Sequence, residues 1–425
     1  MNSNSRFTSR AQPSERVRAM AGLFLCGFLA FGIGVYSFTQ LLEPLAKEFG
    51  WDRATLGGQM SAFWLSAPFS VVAAYALRRI GVRGLLAIGG VTEIIGLLGM
   101  IWAHSATEFY VLRFLTGVGK VLIVTPIPVA SARCVPNRAG LAMAISFCGW
   151  HTGGLVMAPL TAELVIRFGW RSALAANCAF FAVGLALALL LLRTRRITEP
   201  SAEHQTATLP NNPTTGAIRE PTPGNRGALI VICIATLTYY AGYAGLLGQL
   251  APLLTDAGFD EHSIGQLTGS VAISAALGVL LAGAVTQCVS AQMSGCIFLV
   301  LMSVATFSAT LLGPGASLLS GISFVALVGG LVGGGDPIII DALRQSVDPQ
   351  RFDRSYGWWY LLCLAALTIA PFAVGAVFDR FGTYRVGFLI ISVATLTSAP
   401  AWVALVRYPR KTASTVYGKH LSDYR

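Results

Sequence analysis

The chain has 425 residues, of which 54% are hydrophobic and only 12% charged, with a mean hydropathy of +0.65. Soluble globular proteins carry about a quarter charged residues, so a domain that faces water all round is excluded. The net charge of +11 does not point to a nucleic-acid partner, because the basic residues punctuate the ends of apolar runs instead of forming one patch.

A polar tail (1–18) with Arg6, Arg10, Arg16 and Arg18 comes first. The apolar run behind it is long enough to span a bilayer, so the tail reads as retained and not as a cleaved signal. Runs of roughly 20 residues, enough for a hydrocarbon core of about 30 Å, then recur to the end. They fall at 19–42, 54–77, 84–103, 107–130, 139–165, 171–192, 228–254, 262–286, 292–313, 316–341, 355–378 and 385–406. An all-α polytopic membrane protein with twelve transmembrane helices is predicted. The long polar interruption at 193–227, rich in Pro, Thr, Asn and Glu, predicts a flexible linker. It divides the chain into six-helix bundles over 19–192 and 228–406, followed by a C-terminal tail at 407–425.

The two bundles carry the same punctuation. Pro44-Leu45 is followed by Gly50-Trp51-Asp52 and Thr55-Leu56-Gly57; 208 positions later Pro252-Leu253 is followed by Gly258-Phe259-Asp260 and Ser263-Ile264-Gly265. Pro126 precedes Arg133 by seven residues, as Pro337 precedes Arg344, at an offset of 211. Two parallel repeats follow. With the N-terminus placed in the cytoplasm, 22 Lys/Arg lie inside, six outside and two within spans (Arg113 and Lys120). That bias places both termini in the cytoplasm, with the protein multi-pass in a bacterial inner membrane.

The eight cysteines lie mostly inside apolar runs, without a C-x-x-C. They read as small hydrophobes, so no disulfide, metal or other cofactor is expected. Many of the 46 glycines fall within spans, where small residues let helices approach closely. The glycines of 329–335 resemble a phosphate loop only superficially, since neither a preceding strand nor a following Lys-Ser/Thr is present.

Three local patterns resemble the major facilitator superfamily. They are Arg113-Phe114-Leu115-Thr116-Gly117-Val118-Gly119 in the fourth span, Gly149, Gly153, Gly154 and Pro159 in the fifth, and Arg79-Ile80-Gly81-Val82-Arg83 after the second. The position before Arg79, acidic in the family motif, is Arg78, and the loop near Gln287 departs as well, so that motif's charge lock is not implied. Glu48 to Arg53, Gly335-Asp336, Tyr356-Gly357 and Phe378 to Arg385 further resemble the bacterial monocarboxylate-transporter-like branch. The resemblance implies that the first, fourth, seventh and tenth spans line a central cavity. The branch's charges on the first and eighth spans are missing, so a lactate-like substrate is not implied.

Charges inside a bilayer cost several kcal/mol and usually face a cavity or a partner. Arg113 and Lys120, two turns apart, share a face of the fourth span. Our expectation is that Lys120, helped by Arg113, attracts an anion while Asp336 on the tenth span carries a coupling proton. The alternative is a permanent pair of Asp336 with Lys120 or Arg113 that only fixes the helices. Glu93 on the third span is a second proton candidate or a satisfied structural acid. His151 on the fifth titrates near neutrality when unperturbed, and packing alone would also account for it. Tyr36, Gln40, Tyr239, Tyr240, Tyr243 and Gln249 are uncharged cavity candidates, since rings with a polar tip suit an amphipathic acid. Glu163, Asp341 and Arg344 lie near span ends, and the last two are spaced to pair. Trp358 and Trp359 fit an aromatic belt.

The function expected is secondary transport of a small carboxylate-like organic anion, coupled to protons as a symporter, by a monomer whose partners are that anion, protons and the bilayer. The alternatives are an exporter of hydrophobic or cationic compounds and, more remotely, a transport-dead membrane sensor. Neither G-x-S-x-G nor H-E-x-x-H occurs, so an enzyme is not expected.

Overall fold

The computed structural model describes residues 13–51, 53–135, 138–193, 226–347 and 351–406. The tails over 1–12 and 407–425 and the linker over 194–225 lie outside the described residues. The first half contains α1 (Pro13–Phe31), α2 (Leu42–Phe49), α3 (Arg53–Trp64), α4 (Phe69–Ile101), α5 (Ala106–Val124), α6 (Pro126–Cys134) and α7 (Ala139–Leu191). The second contains α8 (Arg226–Gly248), α9 (Leu250–Asp256), α10 (Glu261–Cys288), α11 (Ala291–Ser308), α12 (Leu318–Ser346), α13 (Phe352–Phe381) and α14 (Tyr384–Val406).

Among the described residues, eight stretches are long and apolar enough to cross a membrane. Two of them, Gly58–Ile101 and Ala139–Leu191, turn back at Gly81 and Gly169 and cross twice. With α11 and α13 the spans number twelve.

The repeated Pro-Leu…Gly signature is a helix stop followed by a helix start. Gly50 and Gly258 have φ of 66° and 90°, a region costly for residues with a Cβ. In the second copy Asp260 then caps α10, its carboxylate accepting from Ser263 N at 3.3 Å. Asp52, its counterpart, lies outside the described residues. The structure reveals a further repeat, Arg167-Phe168-Gly169 and Arg380-Phe381-Gly382, with φ of 79° and 66° at the corners between spans five and six and spans eleven and twelve.

Within each half, glycines set the closest approaches. A Cβ on Gly149 or Gly153 of the fifth span would run into the Phe24 and Phe28 carbonyls of the first, and one on Gly333 of the tenth into the Ala275 carbonyl of the eighth. The glycines of 329–335 are therefore packing residues. Two elements depart from the sequence expectation. The fourth span breaks at Thr125, whose hydroxyl bonds Val121 O at 2.7 Å before Pro126 opens α6, whereas Pro337 lies inside an unbroken α12. The first span continues from α1 into a π-helical turn, Gly32–Ser37.

The halves are clasped on the face that bears residues 13 and 406. Gly140 meets Thr286, Gly283 meets Ala144 and Gly357 meets Ala74. Ser70 Oγ donates to Gly357 O at 3.0 Å, Arg354 lies 4.6 Å over the Tyr75 ring, and Arg133 pairs with Asp353 at 3.2 Å. The acid missing at Arg78 is thus supplied from the other half: Asp353, at the head of α13, is the carboxylate on which Arg133 and Arg78 act.

Candidate functional site

Lys120 lies midway along the fourth span and reaches across the interface of the two halves. Its side chain is 1% exposed, and Nζ donates to Tyr360 OH on the eleventh span at 3.0 Å. Aromatic rings enclose the ammonium: Trp64 at 4.1 Å, Phe31 at 4.8 Å, Tyr360 at 5.6 Å and Phe63 at 5.7 Å. Cation–π contacts are worth on the order of 1–2 kcal/mol each when desolvated. They supply no acceptor, however, and an ammonium has three donors. One hydroxyl leaves two of them facing rings.

Arg113, 0% exposed, is held differently. Nη1 donates to Gly34 O at 3.1 Å, and the guanidinium lies 3.7 Å from the Phe38 ring and 4.4 Å from that of Phe63. Phe63 thus touches both cations, as a shared helix face requires. Among the described residues no ion pair within 4.0 Å involves Arg113, Lys120, Glu93 or Asp336. The permanent pair of Asp336 with Lys120 or Arg113 is therefore absent here.

Asp336 is half-buried on the tenth span and accepts a short hydrogen bond from Tyr240 OH. Around it the second half gathers phenols. Tyr239 packs on Tyr240 at 4.7 Å and Tyr240 on Tyr243 at 5.9 Å, while Tyr356 stacks on Tyr360 at 5.9 Å with planes 9° apart. The Tyr356 hydroxyl is buried without a partner.

The other predicted residues divide. Tyr239 is committed to packing, its hydroxyl donating to Val332 O at 2.7 Å. Tyr36 is half-buried in the π-helical turn against Gly154, and Tyr243 is half-buried beside Tyr240. His151 is buried next to Trp150, whose ring stacks on Phe31 at 4.5 Å; no hydrogen bond among the described residues takes it to Lys120 or Asp336. Gln40 bonds its neighbour Thr39 at 3.1 Å, and Gln249, at the break between α8 and α9, accepts from Tyr384 OH at 3.1 Å. Neither glutamine joins the central group, because both stand at span ends and bond there. Glu93 is buried with both carboxyl oxygens unpartnered, so it is not a satisfied acid. Asp341 pairs with Arg344 at 2.9 Å as spaced, and Glu163 with Arg167. Trp358 is exposed, but Trp359 is no belt residue: it is buried, donating to Thr236 Oγ1 at 2.8 Å.

Sequence reasoning missed Phe31, Trp64, Tyr356 and Tyr360. The available signal was Tyr356 and Tyr360 four apart on one face of the eleventh span. Two apolar clefts, of about 530 Å³ between the ninth and twelfth spans and about 340 Å³ among the seventh, eleventh and twelfth, lie away from this group.

Two six-helix halves with the unpaired ammonium of Lys120 buried where they meet define a polytopic membrane protein with a polar centre. The chain belongs to the Major Facilitator Superfamily, whose family model matches residues 23–229 and 232–422. Relatives include the riboflavin transporter RibJ of Trypanosoma brucei brucei, 29% identical over 199 residues, 44% of this chain and 35% of that protein. The 4-hydroxybenzoate transporter PcaK of Pseudomonas putida is 30% identical over 186 residues, 43% of this chain and 40% of that one. A gallate transporter of Pseudomonas putida is 26% identical over 284 residues, covering 60% and 62%. The chain thus spans about two fifths or less of the first two relatives' lengths. The human organic anion transporter MFSD10 (TETRAN) shares the fold, with a TM-score of 0.71 at 15% identity over 92% of this chain and 100% of that one. The relatives named are themselves transporters.

Proposed function

We propose that the protein carries a small aromatic organic anion across the bacterial inner membrane by alternating access, with its termini in the cytoplasm and transport coupled to protons. The observation that carries this reading is the ammonium of Lys120, walled by rings and given one acceptor for three donors. A carboxylate would fill the two open donors, and a planar ring behind it would stack on the cage. The names of the relatives support the same class, since 4-hydroxybenzoate and gallate are aromatic acids. Asp336 is the carboxylate across the interface whose field reaches Lys120. A bound anion replaces it as the ammonium's counter-charge, and Asp336 then accepts the proton.

The test is anion binding and uptake by purified wild type and Lys120→Ala in proteoliposomes, with 4-hydroxybenzoate as the probe and a cationic dye as the control. Losing a charge-assisted hydrogen bond worth about 2–3 kcal/mol should weaken binding roughly thirty- to hundredfold. Undiminished 4-hydroxybenzoate uptake by the variant would refute the anchor, and dye transport without anion transport would establish a cation exporter.

A further inference from the structure

Glu93 has no task in the scheme above, yet its surroundings are unusual. It is 0% exposed, and neither carboxyl oxygen has a hydrogen-bond partner. Its Oε1 lies 2.7 Å from where a Cβ on Gly34 would stand, so the carboxyl presses directly on the π-helical turn of the first span. Behind it, Gly119 of the fourth span, next to Lys120, lets the Glu93 backbone approach closely.

The same Gly34 holds Arg113. Its carbonyl accepts from Nη1 at 3.1 Å, while Arg113 Nε is buried without a partner. Guanidinium and carboxyl therefore flank one glycine without forming an ion pair. The amide of Gln59, on the face of the second span that carries Phe63, is also buried with neither atom partnered. Buried polar groups are almost always satisfied, and three such side chains in one neighbourhood mark a place where partners change. An ionised carboxylate without a single hydrogen bond is far costlier to bury than the neutral acid. The closed state accordingly holds Glu93 as the acid.

We propose that Glu93 is a proton-binding site of the first half, and that Arg113 moves between the Gly34 carbonyl and the Glu93 carboxylate as the proton leaves and returns. When the halves part, the Glu93 acid gives its proton to water entering the cavity. The carboxylate left behind takes the donors of Arg113, and the released Gly34 carbonyl frees the π-helical turn to rewind. Reprotonation reverses each step. The titratable groups around Glu93 are Arg113 and Lys120 on the fourth span and Cys178 on the sixth, whose thiol donates to Ile94 O at 3.9 Å. This coupling rests on the proton-linked reading above, whereas the proton site itself can be tested without substrate.

The first measurement is the infrared difference spectrum of the purified protein between acid and alkaline pH. A protonated-carboxyl band present in wild type and missing from Glu93→Gln is expected, and a spectrum unchanged by the substitution overturns the site. Arg113→Lys should keep the band but move its midpoint; an unmoved midpoint removes Arg113 from the proposal. The second measurement uses 4-hydroxybenzoate in proteoliposomes. Glu93→Gln should keep exchange within about twofold of wild type while accumulation driven by a pH gradient falls at least tenfold. Full accumulation, or loss of exchange together with thermal stability, would make Glu93 merely structural. Failure of wild type to transport the probe would count against the substrate assignment alone, because the infrared result stands independently.

Discussion

Tyr360 occupies one donor of Lys120, so any anion arriving at that ammonium meets a hydroxyl already bound at 3.0 Å. Its ring belongs to the cage as well, with its centroid 5.6 Å from Nζ. Tyr360→Phe separates the two roles: the ring stays and the acceptor goes. A buried ammonium that loses its one hydroxyl partner should destabilise the unliganded protein by about 1–2 kcal/mol. The same loss removes a competitor, so a carboxylate should bind the variant several-fold more tightly. Titrating 4-hydroxybenzoate against the fluorescence of Trp64, whose ring is 4.1 Å from Nζ, measures both ends of this comparison. Weaker binding would show instead that the hydroxyl touches the anion itself.

At the scale of elements, the short helix α2 clamps the corner between spans five and six. Glu48 accepts from Trp170 Nε1 at 2.5 Å and pairs with Arg171. The Trp170 hydrogen bond, then that from Arg171, holds its carboxyl below the ordinary carboxylate range. A lowered carboxyl contributes stability that is present above its unfolded value and lost as pH falls through the folded one. Melting temperature should therefore drop on acidification below about pH 4.5 more in wild type than in Glu48→Gln, and equal slopes would remove the clamp. The second half has the neutral Tyr384–Gln249 bond at the matching corner. The corners at Gly50 and Gly258 were legible because a left-handed Gly between two apolar runs is a local demand of the backbone, written in the residue itself. The π-helical turn was not, since it depends on what Gly32 and Gly34 meet on other helices, Gly153 and Glu93. The same division holds at the site. Arg113, Lys120, Glu93 and Asp336 stood out because charge in an apolar run has few explanations, while Phe31, Trp64 and Tyr360 have the spacing of ordinary core aromatics until a lysine is found between them. Trp359 misled for that reason.

Across the whole molecule, the ionisable groups set midway along the spans are two cations, Arg113 and Lys120, and two acids, Glu93 and Asp336; with Glu93 held as the acid and Asp336 ionised they carry one net positive charge. On the proposed reading, a monoanion bound at Lys120 would cancel that charge and leave Asp336 to take up the coupling proton. On that reading the clasp on the terminus-bearing face would decide when the site opens to that side, and its ion pair is weaker than its 3.2 Å suggests. Burial pushes the Asp353 carboxyl above its ordinary value even though Arg133 and Arg78 pull it down. Desolvation therefore outweighs attraction, as it does for many buried pairs. The sign follows: charged Asp353 disfavours the closed face, which gains stability as pH falls through the raised value and loses it above. The glycine contacts Gly357–Ala74 and Gly283–Ala144 then do most of the holding. Asp353→Asn should change opening by no more than about fivefold, the upper bound for a pair worth 0–1 kcal/mol. Asp353→Lys sets a cation against Arg133 and Arg78, and like charges in contact cost several kcal/mol. Opening should then rise at least tenfold, which takes about 1.4 kcal/mol. Cys134, next to Arg133 in the chain and buried, serves as the reporter once the exposed Cys288 and the half-buried Cys233 and Cys296 are replaced by Ser; a permeant maleimide should reach it faster when this face parts. Labelling as fast in Asp353→Asn as in Asp353→Lys would mean that the ion pair, and not the glycine packing, keeps the transporter shut.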